Sequence, residues 1–386
     1  MLFQEFKSAL EQKKLEHAQC IWEKIKLLGT PLIEIISKEF SRIIFIFEAT
    51  YSVENVLLLT SIGDLNIEIS TMKNIQNSNF WYQEMILRNE LIMVYQFFPN
   101  GLHVEWSEKN RYSQLDVNNS QQYDKQWSIL ILSQYQQDPL TISTHDEQVM
   151  VEKNIKDHHI YSDALKEDRF FSVYTNNSRI DSIWFILDGH VYLSSIPVPI
   201  IIENLNKQGK PINPLIVFIE QVDRRRELGC SKRFSRFLCE ELFPWIVKNY
   251  NIKNFNRNQC MIAGSSLGGL SSIYTALTYP EIIGKVLSQS GAFWWKPDTS
   301  DEWEWLIHQS FHKHESLPQE FYLSVGSYED KPIGDSEVTM ITSNRKMEHK
   351  LSASGYKTFW EVFIGGHHTI NWANNFSSGV KKLFVT

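Results

Sequence analysis

From about residue 166 onward the chain repeats one pattern: an uninterrupted apolar run of strand length, then a stretch of helix length. The runs are Ser182-Ile183-Trp184-Phe185-Ile186-Leu187, Pro214-Leu215-Ile216-Val217-Phe218-Ile219, and residues 259–263, 320–325 and 358–364. Helices are expected over 234–249, over 267–277 and near 336–354. A strand without polar alternation has both faces buried, and strands interleaved with helices bury them under helical layers. The pattern therefore predicts an α/β domain built on a mostly parallel, doubly wound sheet.

The first 140 residues follow another period. Leu10, Leu15, Ile21 and Ile25 recur at helical spacing among charges, which predicts an amphipathic, solvent-facing helix that Gly29-Thr30-Pro31 stops. Strand-like segments follow: Ile43-Ile44-Phe45-Ile46-Phe47, Val56-Leu57-Leu58-Leu59, Leu65-Asn66-Ile67-Glu68-Ile69, then residues 80–86 and 91–97. Strands at about ten-residue intervals with no helix between them predict a small all-β sandwich of the immunoglobulin-like kind. Residues 117–126 are polar and read as an exposed loop, and Asp138-Pro139-Leu140 marks a break. The expected organisation is a helix plus β-sandwich over 1–140, a linker over 141–165, and an α/β-hydrolase domain over 166–386.

Composition narrows the function classes. A chain of 386 residues with 42% hydrophobic content and net charge -7 is neither disordered nor basic like a nucleic-acid binder. Its four cysteines, Cys20, Cys230, Cys239 and Cys260, are too sparse for a disulfide framework and lack zinc-ribbon spacing. No secretory leader pattern is present, and the apolar runs are strand-sized, so a cytoplasmic protein without a membrane partner is expected.

Chemistry concentrates at Gly264-Ser265-Ser266-Leu267-Gly268, directly after the apolar run Cys260-Met261-Ile262-Ala263 and before a helix. In that context G-x-S-x-G is a nucleophile elbow, with glycines relieving the sharp turn and Ser266 exposed above the sheet edge. A serine alcohol needs a base, and the chain order serine, acid, histidine points to His367, which follows a strand through Gly365-Gly366. The acid should lie after the preceding strand, where Gly326-Ser327-Tyr328-Glu329-Asp330 offers Glu329, with Asp330 as the alternative. The oxyanion hole should use the N–H of Leu267 and a second donor in the Asp188-Gly189-His190 turn, placed at His190.

With these residues stands a resemblance to the enterochelin (ferric-enterobactin) esterases, a family of siderophore hydrolases. Leu187-Asp188-Gly189, Ser194-Ser195-Ile196-Pro197-Val198, Arg226-Glu227-Leu228, Glu240-Glu241-Leu242-Phe243-Pro244, the elbow, Leu287–Gly291 with Trp294-Trp295, and Gly365-Gly366-His367 carry it. In the front half it extends through Gly29-Thr30-Pro31, Asn79-Phe80-Trp81 and Asp138-Pro139-Leu140. The resemblance implies a β-sandwich followed by an esterase domain, cleavage of trilactone esters linking catechol-acyl serines, and release of iron inside the cell. It implies no cofactor, because the iron enters only as part of the substrate. The chain departs from the family's usual acidic residue at His190, from its usual aspartate at His368, and in the segment after Pro197.

A ferric tris-catecholate is polyanionic and aromatic, so its pocket should present cations and flat rings. Arg225 and Arg226, within a run of three arginines, and Trp294 and Trp295 are the expected contacts, beside Asp188 and Gly189. The same scaffold could act on another aryl or acyl ester or another siderophore, or bind a siderophore without catalysis.

Overall fold

The structure, a computed structural model, describes residues 2–62, 71–105, 108–123, 125–176, 179–310, 317, 319–334 and 336–385. The chain divides into two compact units: Met1–Gln136 with Ile364–Gly366, and Gln137–Phe363 with His367–Thr386.

In the first unit the single expected helix is two, α1 (Leu2–Glu11) and α2 (Leu15–Leu28). Lys13 between them has φ +57°, a left-handed break that ends the first helix. Their apolar faces are buried rather than solvated. Phe6 and Trp22 pack on Phe80 with ring centroids 5.0 and 4.9 Å away. Behind them lie β1 (Leu32–Ile35), β2 (Phe40–Glu48), β3 (Val56–Thr60), β4 (Lys73–Asn74), β5 (Phe80–Arg88), β6 (Ile92–Pro99), β7 (Gln122–Tyr123) and β8 (Trp127–Ile131). They form two antiparallel sheets, β1-β2-β5-β4 and β3-β6-β8-β7. Phe45 and Phe47 of one sheet meet Tyr95 and Phe97 of the other at 4.9 and 5.2 Å. The segment expected as a loop over 117–126 contains β7, and the expected strand over 65–69 lies outside the described residues.

Residues 141–165, expected to be a linker, instead hold helix α3 (His145–Glu152) and strand β9 (Ile155–Ser162). A capping box starts α3, with Thr144 and Glu147 exchanging side chain-to-backbone hydrogen bonds. Glu147 also pairs with Lys207. The Lys207 ammonium, then the Thr144 N–H, hold the Glu147 carboxyl down to about 2. Because this folded-state value lies below the ordinary one, the charge stabilises the fold above about pH 4.5 and is lost as pH falls towards 2. Glu147→Gln keeps the cap but not the charge. Its melting temperature is expected to fall below wild type at pH 7, and the difference to vanish near pH 2.

The second unit carries an eight-stranded mixed sheet in the order β16-β15-β14-β13-β11-β12-β10-β9. Its remaining strands are β10 (Glu167–Tyr174), β11 (Ser182–Leu187), β12 (Pro214–Ile219), β13 (Cys260–Ser265), β14 (Lys285–Gln289), β15 (Glu320–Gly326) and β16 (Lys357–Phe363). Pairing is parallel from β16 through β12, while β10 and β9 extend the sheet antiparallel. Apolar clusters cover both faces, one including Ile262, Leu270, Phe234 and Phe321, the other Ile186, Ile201, Met261 and Phe376. The expected helix over 234–249 opens as a short α-helix, widens through a π-helical segment at Phe237–Leu242, and ends as Phe243–Asn249.

Charges hid β10 from sequence reading. Arg169 lies inside it at 1% exposure, donating to both oxygens of buried Glu227 at 2.8 and 2.7 Å and to the Glu220 carbonyl at 2.6 Å. Removing one partner of such a pair strands a buried charge. Arg169→Ala is expected to cost about 3–5 kcal/mol, read as a lower midpoint in urea unfolding. Arg169→Met combined with Glu227→Leu should recover much of that loss.

Candidate active site

The elbow joins β13 to helix α4 (Leu267–Thr278) at the carboxyl ends of the parallel strands. Ser266 adopts φ +56° and ψ -123°, a strained conformation for a residue with a side chain. The turn leaves no room around it. A Cβ on Gly264 would lie 2.7 Å from the Gly268 carbonyl carbon, and one on Gly269 would lie 2.5 Å from Ser288 Oγ. The strain is held by neighbours. Ser266 N–H donates to the Gln289 carbonyl at 3.0 Å, and its carbonyl accepts from Ala292 N at 2.9 Å.

The expected acid and base meet. His367 Nδ1 lies 2.7 Å from Glu329 Oε2, with Glu329 buried and the His367 side chain 36% exposed. Glu329 sits on the turn after β15, its N–H bonded to the Gly326 carbonyl. Its Oε1 accepts from Gly326 N at 2.8 Å and from Ser290 Oγ at 2.6 Å. These donors fix the rotation of the carboxylate and leave Oε2 turned to His367. Asp330, the alternative acid, is exposed. His368 caps the helix Thr369–Val380 through its Nδ1, which accepts from Ile370 N at 3.2 Å.

The expected substrate contacts fare unevenly. Asp188 is buried with φ +54°, and Arg224 Nε and Nη2 each donate to its carboxylate at 2.8 Å. It is thus committed to a salt bridge instead of standing open to a ligand. Arg224 Nη2 also reaches the Ser265 carbonyl at 3.5 Å, so the arginine against the elbow is Arg224, although all three arginines of the run are exposed. Arg225 approaches Asp298 at 3.7 Å, and Arg226 lines a hollow with Glu167, Asp223 and Arg233. Gly189 is a packing glycine, since a Cβ there would lie 2.7 Å from the Phe218 carbonyl carbon. Trp295 is buried against Gly229 and Trp305, and Trp294 is half-buried beside Trp303.

Leu267 opens α4, where helix N–H groups face outward. The second expected oxyanion donor differs. The Glu220 side chain accepts from the His190 N–H, and His190 Nδ1 is 2.7 Å from Glu220 Oε2. Glu220 caps the turn that His190 begins, so this N–H already has an acceptor.

Sequence reasoning saw Arg224 only as part of an arginine run and Ser290 only within the Leu287–Gly291 segment, and it missed Glu220 and Trp372. Glu220 directly follows the apolar run of β12, which is its local signal. The other three are identified by partners 36 to 82 residues away. Burial pushes the thiols of Cys239 and Cys260 up, so neither competes as a nucleophile. Among the described residues no group of three or more His, Cys, Asp or Glu is placed to hold a metal ion, and no helix is long and apolar enough to cross a membrane.

The strained serine turn after β13 is followed in chain order by a buried carboxylate bonded to a histidine. The Esterase family model matches residues 162–383, and the chain belongs to that family. Among relatives, the iron(III) enterobactin esterase of Escherichia coli K12 is 27% identical over 229 residues, 58% of this chain and 55% of that protein. The iron(III) salmochelin esterase of E. coli O6:H1 is 24% identical over 43% of this chain and 40% of its own. The chain thus matches about half the length of the enterobactin esterase. The crystal structure of ferric enterobactin esterase from Salmonella typhimurium has a similar fold, with TM-score 0.74 and 22% identity over 95% of this chain and 98% of that one. An enterobactin esterase from Shigella flexneri, crystallised in the presence of enterobactin, gives 0.69 and 21% over 94% and 97%.

Proposed function

We propose that this chain is a serine esterase that hydrolyses the ester bonds of a ferric catecholate siderophore such as enterobactin. The observation that carries the catalytic part is the buried Glu329 held 2.7 Å from His367 Nδ1, in the chain order that follows an elbow serine. The relatives named for enterobactin and salmochelin support the substrate class.

In this reading Ser266 Oγ attacks a lactone carbonyl while His367 Nε2 takes its proton. The Leu267 N–H stabilises the oxyanion, and His367 then returns the proton to the departing alkoxide of the substrate's own serine. Water, activated by the same imidazole, releases the acyl group from Ser266. Glu329 holds Nδ1–H and the imidazolium that forms at each transfer. The iron is part of the substrate, no resident cofactor takes part, and hydrolysis in the cytoplasm frees the metal from a weakened ligand. The N-terminal unit is read as an immunoglobulin-like sandwich, and the catalytic unit as an α/β-hydrolase domain.

Product analysis by mass spectrometry over a panel of ferric and iron-free siderophores tests the substrate. Linear dihydroxybenzoylserine products from enterobactin are expected. Turnover of simple nitrophenyl esters alone would contradict the siderophore assignment.

A further inference from the structure

The acid–histidine pair is held by two further residues that the triad does not include. Ser290 directly follows β14, and its side chain is fully buried. Its φ of +47° is sterically disfavoured for a residue with a Cβ. The backbone there is pinned by Ser290 N–H donating to the Ser324 carbonyl of β15 at 2.7 Å. The strained turn aims Oγ at Glu329 Oε1, 2.6 Å away. On the other side the indole Nε1 of Trp372 lies 3.0 Å from the same Oγ.

The direction of this chain of bonds follows from its chemistry. An indole N–H can only donate, and a serine hydroxyl has one proton. Ser290 Oγ therefore accepts from Trp372 and donates to Glu329 Oε1, which leaves Oε2 to accept from His367. Trp372 also meets His367 ring to ring, with centroids 4.9 Å apart and planes at 84°. One indole thus orients the acid through Ser290 and walls the base by contact.

We infer that Ser290 and Trp372 form a positioning clamp on the catalytic pair, with Ser290 fixing the rotation of the Glu329 carboxylate and Trp372 fixing the proton of Ser290. The inference rests on the proposed roles of Glu329 and His367 but not on the siderophore. Its test therefore uses 4-nitrophenyl acetate, so failure of the siderophore reading leaves it intact.

Ser290→Ala is expected to lower kcat by about 10–100-fold, the scale of one hydrogen bond to a charged group, with KM nearly unchanged. Trp372→Phe keeps a ring against His367 but removes the N–H, and should lower kcat by roughly 3–10-fold. Because Trp372 Nε1 acts through Ser290, the double variant should be no slower than Ser290→Ala. In proton NMR the downfield His367 Nδ1–H resonance should be present in the wild type and broadened or shifted upfield in Ser290→Ala. Folded single variants with wild-type kcat and an unmoved resonance would overturn the clamp, as would fully multiplicative losses in the double variant. A fall in melting temperature alone, with kcat and resonance retained, would also overturn it.

Discussion

Ser266→Ala is expected to fold as the wild type does and to lose roughly a millionfold in kcat, the scale of removing the nucleophile from a serine hydrolase. The substitution removes only Oγ. The backbone bonds that hold the elbow, from Ser266 N–H to Gln289 and from Ala292 N–H to Ser266, remain. Alanine tolerates φ +56° no worse than serine, so the melting temperature should stay close to wild type. Substrate binding should persist, because the surrounding side chains are untouched, and titration by fluorescence quenching would read it. Serial loss of both binding and turnover would instead indicate a collapsed elbow, and wild-type turnover would remove Ser266 from the mechanism.

Glu329→Gln is the second large effect, with an expected loss of roughly ten-thousandfold in kcat. Here the structure predicts how the amide will sit. Gly326 N–H and Ser290 O–H both donate to the Oε1 position, so the amide oxygen is drawn there. The NH2 group then faces His367 Nδ1, which must accept. The imidazole is left with its proton on Nε2, where it cannot take one from Ser266. Binding should change little, because Glu329 is buried behind the histidine. Steady-state kinetics beside a binding titration distinguish this outcome from unfolding, which would abolish both. Asp330→Asn, by contrast, should leave kcat near wild type, since Asp330 is exposed while Glu329 holds the imidazole.

The parts of this site that sequence made legible are those encoded by short-range chemistry. The elbow needs glycines two places either side of Ser266, and this steric demand leaves a local signature. The acid and base follow parallel strands, so the order of apolar runs located their loops before any distance was known. Parts encoded by long-range pairing were illegible. Strand β10 reads as charged because Glu167, Asp168 and Arg169 lie in it, and the distant Glu227 and Glu220 carbonyl make Arg169 tolerable in the interior. Strand β14, at five residues beginning with Lys285, was too short and mixed to register as a strand. The arginine cluster was visible as charge, yet which arginine lies against the elbow is decided by its pairing with Asp188. No local feature ties Ser290 to Trp372; 82 residues separate them, and the fold supplies their pairing. The net charge of -7 likewise conceals that Arg224 places a cation beside the elbow.

The most direct test of the central claim is covalent trapping with a fluorophosphonate while hydrolysis of ferric enterobactin is followed. A serine activated by an adjacent histidine is phosphonylated, whereas other serines are inert. The account predicts one adduct per chain, mapped by peptide mass spectrometry to Ser266, slowed by ferric enterobactin, and accompanied by proportional loss of siderophore hydrolysis. Complete modification of Ser266 with hydrolysis undiminished, or loss of hydrolysis with Ser266 unmodified, would contradict it.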